Sequence, residues 1–281
     1  LDSAQAWSEY IGRTEESRIA ISSDRIRGLA ALLDYPQPPW PDNQVPPTGH
    51  WCALFPYTPQ SRLGHDGHEE RGAFIPPLQY TRRMWAGGRI EYGQPWQTDQ
   101  PVTRRSTIVR IEDKQGRGGP MTIVTISHEY LDGATLLLRE EQDIVYRDAP
   151  EAPAPKPVIR PFSDGQAEWS REILPDATLL FRYSAVTFNG HRIHYDREYV
   201  VQEGYPGLLV HAPLTATLLI DLFQKSNPGV GIRRFHFTAR SPMYAGYPFR
   251  LSGRRQTDGS IALWSEACDG SISITAELEV A

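Results

Sequence analysis

The run Leu208–Gln224 constrains this chain more than any other segment. It is almost unbroken in apolar residues and long enough for about four turns of helix. A helix that is apolar on every side has to be buried. Downstream lie Arg234-Phe235-His236-Phe237, Phe249–Arg254, Ile261–Ala267 and Ile272–Val280, all strand-like, with Thr257-Asp258-Gly259 and Asp269-Gly270 as turns. A buried helix followed by an antiparallel meander predicts an α+β fold in which a sheet wraps around a helix.

The same order of events occurs earlier in the chain. Ile90–Trp96, Ser106–Glu112, Met121–Leu131 and Thr135–Tyr146 read as strands, and Lys114–Gly119 as a glycine-rich hairpin turn. The helical candidates of this half, Arg25–Leu33 and Pro77–Trp85, are shorter than Leu208–Gln224, so the first repeat is expected to be degenerate. Between the halves stands Pro150-Glu151-Ala152-Pro153-Ala154-Pro155-Lys156-Pro157, the composition of a semi-rigid extended linker. The boundaries expected are 1–148 for the first repeat, 149–162 for the linker and 163–281 for the second repeat. A second proline cluster, Pro36–Pro59, is interleaved with Trp40, Trp51, Phe55 and Tyr57 and predicts an ordered, packed loop. It continues into Gly64-His65-Asp66-Gly67-His68, read as polar and solvated.

Composition excludes several classes. A formal net charge of -5 argues against a general nucleic-acid binder. No apolar run is long enough to span a bilayer. Leu1–Gly12 lacks the pattern of a secretory signal. The two cysteines, Cys52 and Cys268, suggest neither a disulfide framework nor a zinc site. A cytoplasmic protein is expected.

Reactive side chains are densest in Tyr183–Asp196, followed by Tyr205–Leu214. Here the sequence resembles the MaoC-like hydratases, in particular their two-repeat branch of hydroxyacyl-thioester dehydratases type 2 and of mesaconyl-C4-CoA and itaconyl-CoA hydratases. That family carries an aspartate, four intervening residues and a histidine, then an apolar-His-Gly entry to a helix. In this chain Asn189 stands at the aspartate position, His194 keeps the histidine, and Val210-His211-Ala212 is the helix entry. The likeness extends to Arg82–Gly88 and Glu140–Tyr146. It implies a double hotdog fold whose second repeat is catalytic, whose first repeat binds substrate or coenzyme A, and whose activity is hydration of an α,β-unsaturated acyl-CoA.

The residue types suit that chemistry. Water must reach the β-carbon, a proton must reach the α-carbon, and donors must meet the thioester oxygen where enolate charge develops. His194 is the candidate base. Asn189 can hold the water but cannot take its proton. The backbone N–H of Ala212 is the oxyanion candidate, because helix N-termini present free N–H groups. Pro213 fits a first helical turn. His191 reads as structural, His211 as a helix-entry residue, and Tyr195 and Tyr199 as packing residues. His65 and His68 have no third ligand beside them, so no metal site is expected.

Arg82, Arg83 and Trp85 are candidates for a substrate carboxylate, and Arg234 and Arg240 for coenzyme A or its acyl group. The substrate expected is a short branched dicarboxylyl-CoA, of the kind itaconate degradation requires, with coenzyme A part of the substrate and no separate cofactor. A homodimer is the expected assembly. Two other readings stay open: a 3-hydroxyacyl-thioester dehydratase of fatty-acid synthesis, and a non-catalytic acyl-CoA-binding hotdog protein.

Overall fold

The computed structural model describes residues 7–116, 119–150, 152–163 and 165–281. Its frame is one antiparallel sheet of ten strands. In chain order these are β1 (Thr14–Ile19), β2 (Arg82–Tyr92), β3 (Val102–Gly116), β4 (Gly119–Asp132), β5 (Thr135–Arg147), β6 (Trp169–Ile173), β7 (Ile232–Ala239), β8 (Phe249–Arg255), β9 (Ile261–Ala267) and β10 (Ile272–Val280). Four α-helices accompany them: α1 (Ser23–Leu32), α2 (Ala177–Thr187), α3 (Arg197–Gln202) and α4 (Ala212–Ser226).

The spatial order β1-β3-β4-β5-β2-β7-β10-β9-β8-β6 reads as one five-strand pattern and its repeat. Each half sets its first, short strand at an outer edge. The halves join where β2 pairs with β7, Ile90 opposite Phe235. That seam explains Gly87 and Gly88. A β-carbon on Gly87 would stand 2.7 Å from the Phe237 carbonyl oxygen, and one on Gly88 would stand 2.9 Å from the Phe237 ring. The glycines therefore allow two strands to close on each other, rather than supplying flexibility. Between β5 and β6, residues 152–163 form no regular element, in keeping with the linker composition.

The buried helix is α4, and it lies across β6, β8, β9 and β10. It starts at Ala212, four residues after the expected Leu208, and runs on to Ser226. The upstream residues are held extended: Leu209 N–H donates to Ile193 O (3.0 Å), Val210 N–H to Met243 O (2.8 Å), and Ala245 N–H to Leu208 O (2.9 Å). Pro213 sits in the first turn as the sequence suggests. The single carboxylate on the buried face, Asp221, is paired with Arg171 at 2.7 Å and Lys225 at 3.2 Å, and accepts from Tyr35 Oη at 2.8 Å. This satisfies a group whose burial alone would be costly.

Two local expectations are overturned. Pro77–Trp85 is not a helix: residues from Arg82 onward open β2, with Arg83 opposite Tyr146 and Trp85 opposite Ile144. The long strand β5 offers a ladder that outweighs local preference. The strand expected at Ile90–Trp96 accordingly begins eight residues earlier. The second overturned expectation is the solvated loop at Gly64–His68, described below. The strands of the first half are also longer than read, and β1, β6 and α2 were not anticipated. At the Lys114–Gly119 turn, β3 ends at Gly116 and β4 begins at Gly119, while residues 117 and 118 lie outside the described residues.

Candidate active site

A cavity of about 1000 Å³ lies where the two halves meet. Alternate residues of three first-half strands form one wall: Arg104 and Ser106 of β3, Ile126 and His128 of β4, and Gln142, Ile144 and Tyr146 of β5. Period-two alternation places all of them on one face. The other wall comes from the turn after α2 and the start of α4.

Helix α2 is capped at its start by Asp176, whose carboxylate accepts from Leu179 N–H at 2.8 Å, and at its end by Phe188 in the left-handed region (φ 57°). That reversal turns the chain into Asn189, whose Oδ1 accepts from His191 N–H at 3.0 Å. A short 3-10 turn, Arg192–His194, then presents His194. Its Nδ1 lies 2.9 Å from Leu209 O, so Nδ1 carries the proton and Nε2 is left as an acceptor. Asn189 and His194 are each 7% exposed, and both line the cavity with Ala212. Burial pushes the His194 pKa down to about 4, so the ring is neutral at ordinary pH.

His211 caps α4 and stacks face to face on His194, with centroids 3.5 Å apart. Its Nε2 meets Ser184 Oγ at 2.9 Å, which ties α2 to the entry of α4. His191 stands edge-on to His194 at 5.5 Å. Burial holds both His191 and His211 well below the usual imidazole range.

His68 is the residue that sequence reasoning missed. It was placed in a solvated loop with His65; His65 is exposed, but His68 is buried and 4.6 Å from the His191 ring. The loop is latched across the halves to the turn that carries His194. Arg192 N–H donates to Asp66 O at 2.9 Å, and Arg192 Nη1 donates to His65 O at 2.9 Å. At Gly67 (φ 85°) a β-carbon would fall 2.0 Å from Gly190 O, so the two backbones touch directly. The only signal in the sequence was this Gly-His-Asp-Gly-His spacing, which has no partner until the halves are folded together.

The candidate arginines separate. Arg82 is 4% exposed, pairs with Glu203 at 3.3 Å and lies over the Tyr205 ring, and it does not line the cavity. Arg234 is on the surface with Glu91 (3.2 Å) and Glu279 (3.7 Å), away from the site. Arg83, Trp85 and Arg240 do line the cavity, Arg240 from an exposed position where its Nε donates to Thr275 Oγ1 at 3.2 Å. Tyr199 packs as expected, whereas Tyr195 is half exposed and its hydroxyl donates to Gly190 O at 3.0 Å.

Paired half-sheets, a buried helix whose first residue lines a cavity, and a neutral histidine and an asparagine on the same cavity are the features of a double-hotdog acyl-thioester hydro-lyase. The chain belongs to the hydroxyacyl-thioester dehydratase type 2 family, whose profile matches residues 48–245. It is 43% identical over 282 residues to the mesaconyl-C4-CoA hydratase of Chloroflexus aurantiacus, covering 99% of each chain. Among solved structures it superposes on a MaoC-like dehydratase (TM-score 0.74, 14% identity, 96% and 98% of the two chains). It also superposes on a Mycobacterium tuberculosis protein with a double hotdog fold (TM-score 0.57, 14% identity, 96% of each chain). The fold expectation holds, and the enzyme class with it.

Proposed function

We propose that the chain reversibly hydrates a short, branched dicarboxylyl-CoA of the mesaconyl-C4-CoA or itaconyl-CoA type, giving citramalyl-CoA. The observation that carries this reading is the meeting of His194, Asn189 and Ala212 on the wall of one cavity. Water is held by Asn189 and gives its proton to His194 Nε2 as its oxygen bonds to the β-carbon. Electron density moves to the thioester oxygen, which faces the Ala212 N–H at the start of α4. The proton on Nε2 is then delivered to the α-carbon, and the base is restored. Water is added across the double bond with no net oxidation or reduction, so coenzyme A enters as part of the substrate and no separate cofactor is called for.

Two features favour a short acyl group. The relative at 43% identity is named for a mesaconyl substrate. The cavity wall also carries Arg104, Ser106, His128 and Gln142, and an alkyl chain laid over them would strip water from polar groups without replacing it. The test is kcat/KM across mesaconyl-C4-, itaconyl-, crotonyl- and dodecenoyl-CoA. A dicarboxylyl thioester should lead by at least tenfold; a lead for dodecenoyl-CoA would favour a dehydratase of fatty-acid synthesis instead. No helix among the described residues is long and apolar enough to cross a membrane. Buried, unpaired Cys52 and Cys268 fit a reducing, cytoplasmic setting. The exposed Val158, Ile159, Leu174 and Phe181 fit a homodimer, which sedimentation would test.

A further inference from the structure

We propose that Arg83 and His68, both from the first half, form the subsite that holds the free carboxylate of the acyl group and so set the preference for dicarboxylyl substrates. The inference rests on the preceding reading that the substrate carries such a group.

Four of the other arginines that line the cavity are committed. Arg71 donates to Leu78 O (2.8 Å) and Tyr80 O (2.6 Å), Arg104 to Leu54 O, Arg192 to Asp196 and His65 O, and Arg240 to Thr275. Arg83 lines the cavity and forms no ion pair or hydrogen bond among the described residues. The rim carboxylates Glu69 and Glu70 do not pair with it either. Arg147 also lines the cavity and lacks a carboxylate partner, but it stands opposite Arg82 in the β2–β5 register, and its charge bears on Tyr205 and is not among the causes that shift His68 or His191. Arg83 is one residue along, on the alternate face.

Its charge is felt where the chemistry is. After burial, Arg83 is the leading cause that holds the His68 imidazole below its usual range, and it acts on His191 as well. His68 is buried, yet its ring makes no hydrogen bond among the described residues; its bonds are made by the backbone, with the N–H donating to Asp66 Oδ1 at 3.0 Å and the carbonyl accepting from Gly64 N–H at 2.7 Å. It is clamped between Phe55 (5.6 Å) and His191 (4.6 Å). A neutral imidazole so placed has one N–H to give, and a guanidinium has a planar fork that suits a carboxylate. In mesaconyl-C4-CoA the carboxylate is borne on the β-carbon itself. Its binding site must therefore lie beside the water-activating groups, which is where His68 touches His191.

The experiment is the ratio of kcat/KM for mesaconyl-C4-CoA to that for crotonyl-CoA, which lacks the carboxylate. Wild type, Arg83→Met, Arg83→Lys, His68→Leu and His68→Gln are compared, and turnover of crotonyl-CoA reports that each variant is folded. The ratio should fall about a hundredfold in Arg83→Met and roughly tenfold in His68→Leu, and stay within about threefold of wild type in His68→Gln, which keeps a donor. Arg83→Lys should fall between. A wild-type ratio at or below one would overturn the dicarboxylyl reading and this subsite with it. A high wild-type ratio left unchanged by Arg83→Met would overturn the subsite alone.

Discussion

The two halves share a strand order but not a filling. Over the second half, α4 lays buried residues from Pro213 to Phe223 on the sheet. Over the first, alternate residues of β3, β4 and β5, among them Arg104, His128 and Tyr146, face a cavity, and α1 packs against α2, with Gly28 close to Val186. Each apolar side chain buried in this way contributes about 1.5–3 kcal/mol, so an open half forgoes much stabilisation. Length offsets part of the loss. β3, β4 and β5 have 15, 14 and 13 residues, against 7, 7 and 9 in β8, β9 and β10. Buried polar contacts add to it: Glu140 accepts from Trp51 Nε1 at 2.8 Å and pairs with His50 at 3.3 Å. Burial pushes the Glu140 carboxyl up, but His50, His128 and Trp51 outweigh it and hold the group below the usual range. One repeat thus keeps the turn that carries His194 and the buried helix, while the other leaves a cavity over its sheet, the space proposed for the acyl group.

Acid should break this arrangement most. His68, His128, His191, His194 and His211 are buried with lowered pKa values, and three of them belong to the second half beside the seam. Such a histidine takes a proton in the unfolded chain below pH about 6.5 but not in the fold, so stability is full above that pH and falls as pH drops towards 4. For His128 and His194, both at about 4, the loss is on the order of 3 kcal/mol each by pH 4. Denaturant midpoints measured from pH 8 to 4 should show it; a flat profile would mean these rings titrate normally.

Arg82 and Arg83 sharpen the contrast between structure and function within one strand. Arg82→Met leaves Glu203 buried without its partner and should lower stability by about 3–5 kcal/mol while the preference among substrates is kept. A change of preference with normal stability would reverse the assignment. In the catalytic half, His194→Ala should reduce kcat/KM a hundredfold or more with little change in thermal midpoint. Asn189→Asp should be tolerated if the amide only orients water, and Asn189→Ala should be clearly worse. Near-normal turnover by a folded His194→Ala protein would remove it from the mechanism.

The latch between halves gives the smallest effect. Gly67→Ala strains a positive φ and drives a methyl into Gly190 O, so roughly 1–3 kcal/mol of stability should go. Because the loop holds the turn that carries His194, kcat/KM should fall with it. Crotonyl-CoA turnover and thermal melting of the same sample separate the two. Unchanged turnover would mean that the second half holds its own catalytic turn.

Chain order, apolar period and turn chemistry were enough to determine the repeat, the meanders and the buried helix, because these depend on neighbours within a few residues. β9 and β10 fall where alternation places them, and Pro213 marks the first turn of α4. The segment around Asn189 and His194 was legible for a related reason: its residue types and spacing lie in one short stretch. Tertiary structure alone decided the rest. Arg82 and Arg83 are adjacent and chemically alike, and only the pleat of β2 against β5 sends one to Glu203 and the other to the cavity. His68 reads as solvated until Gly67 and Gly190 meet, more than a hundred residues apart in the chain, and bury it beside His191. The helix expected at Pro77–Trp85 gives way, from Arg82 onward, to β2 because ladder partners in β5 outweigh local preference. In each case the deciding contact is long-range, and a property of the folded sheet rather than of any stretch of sequence.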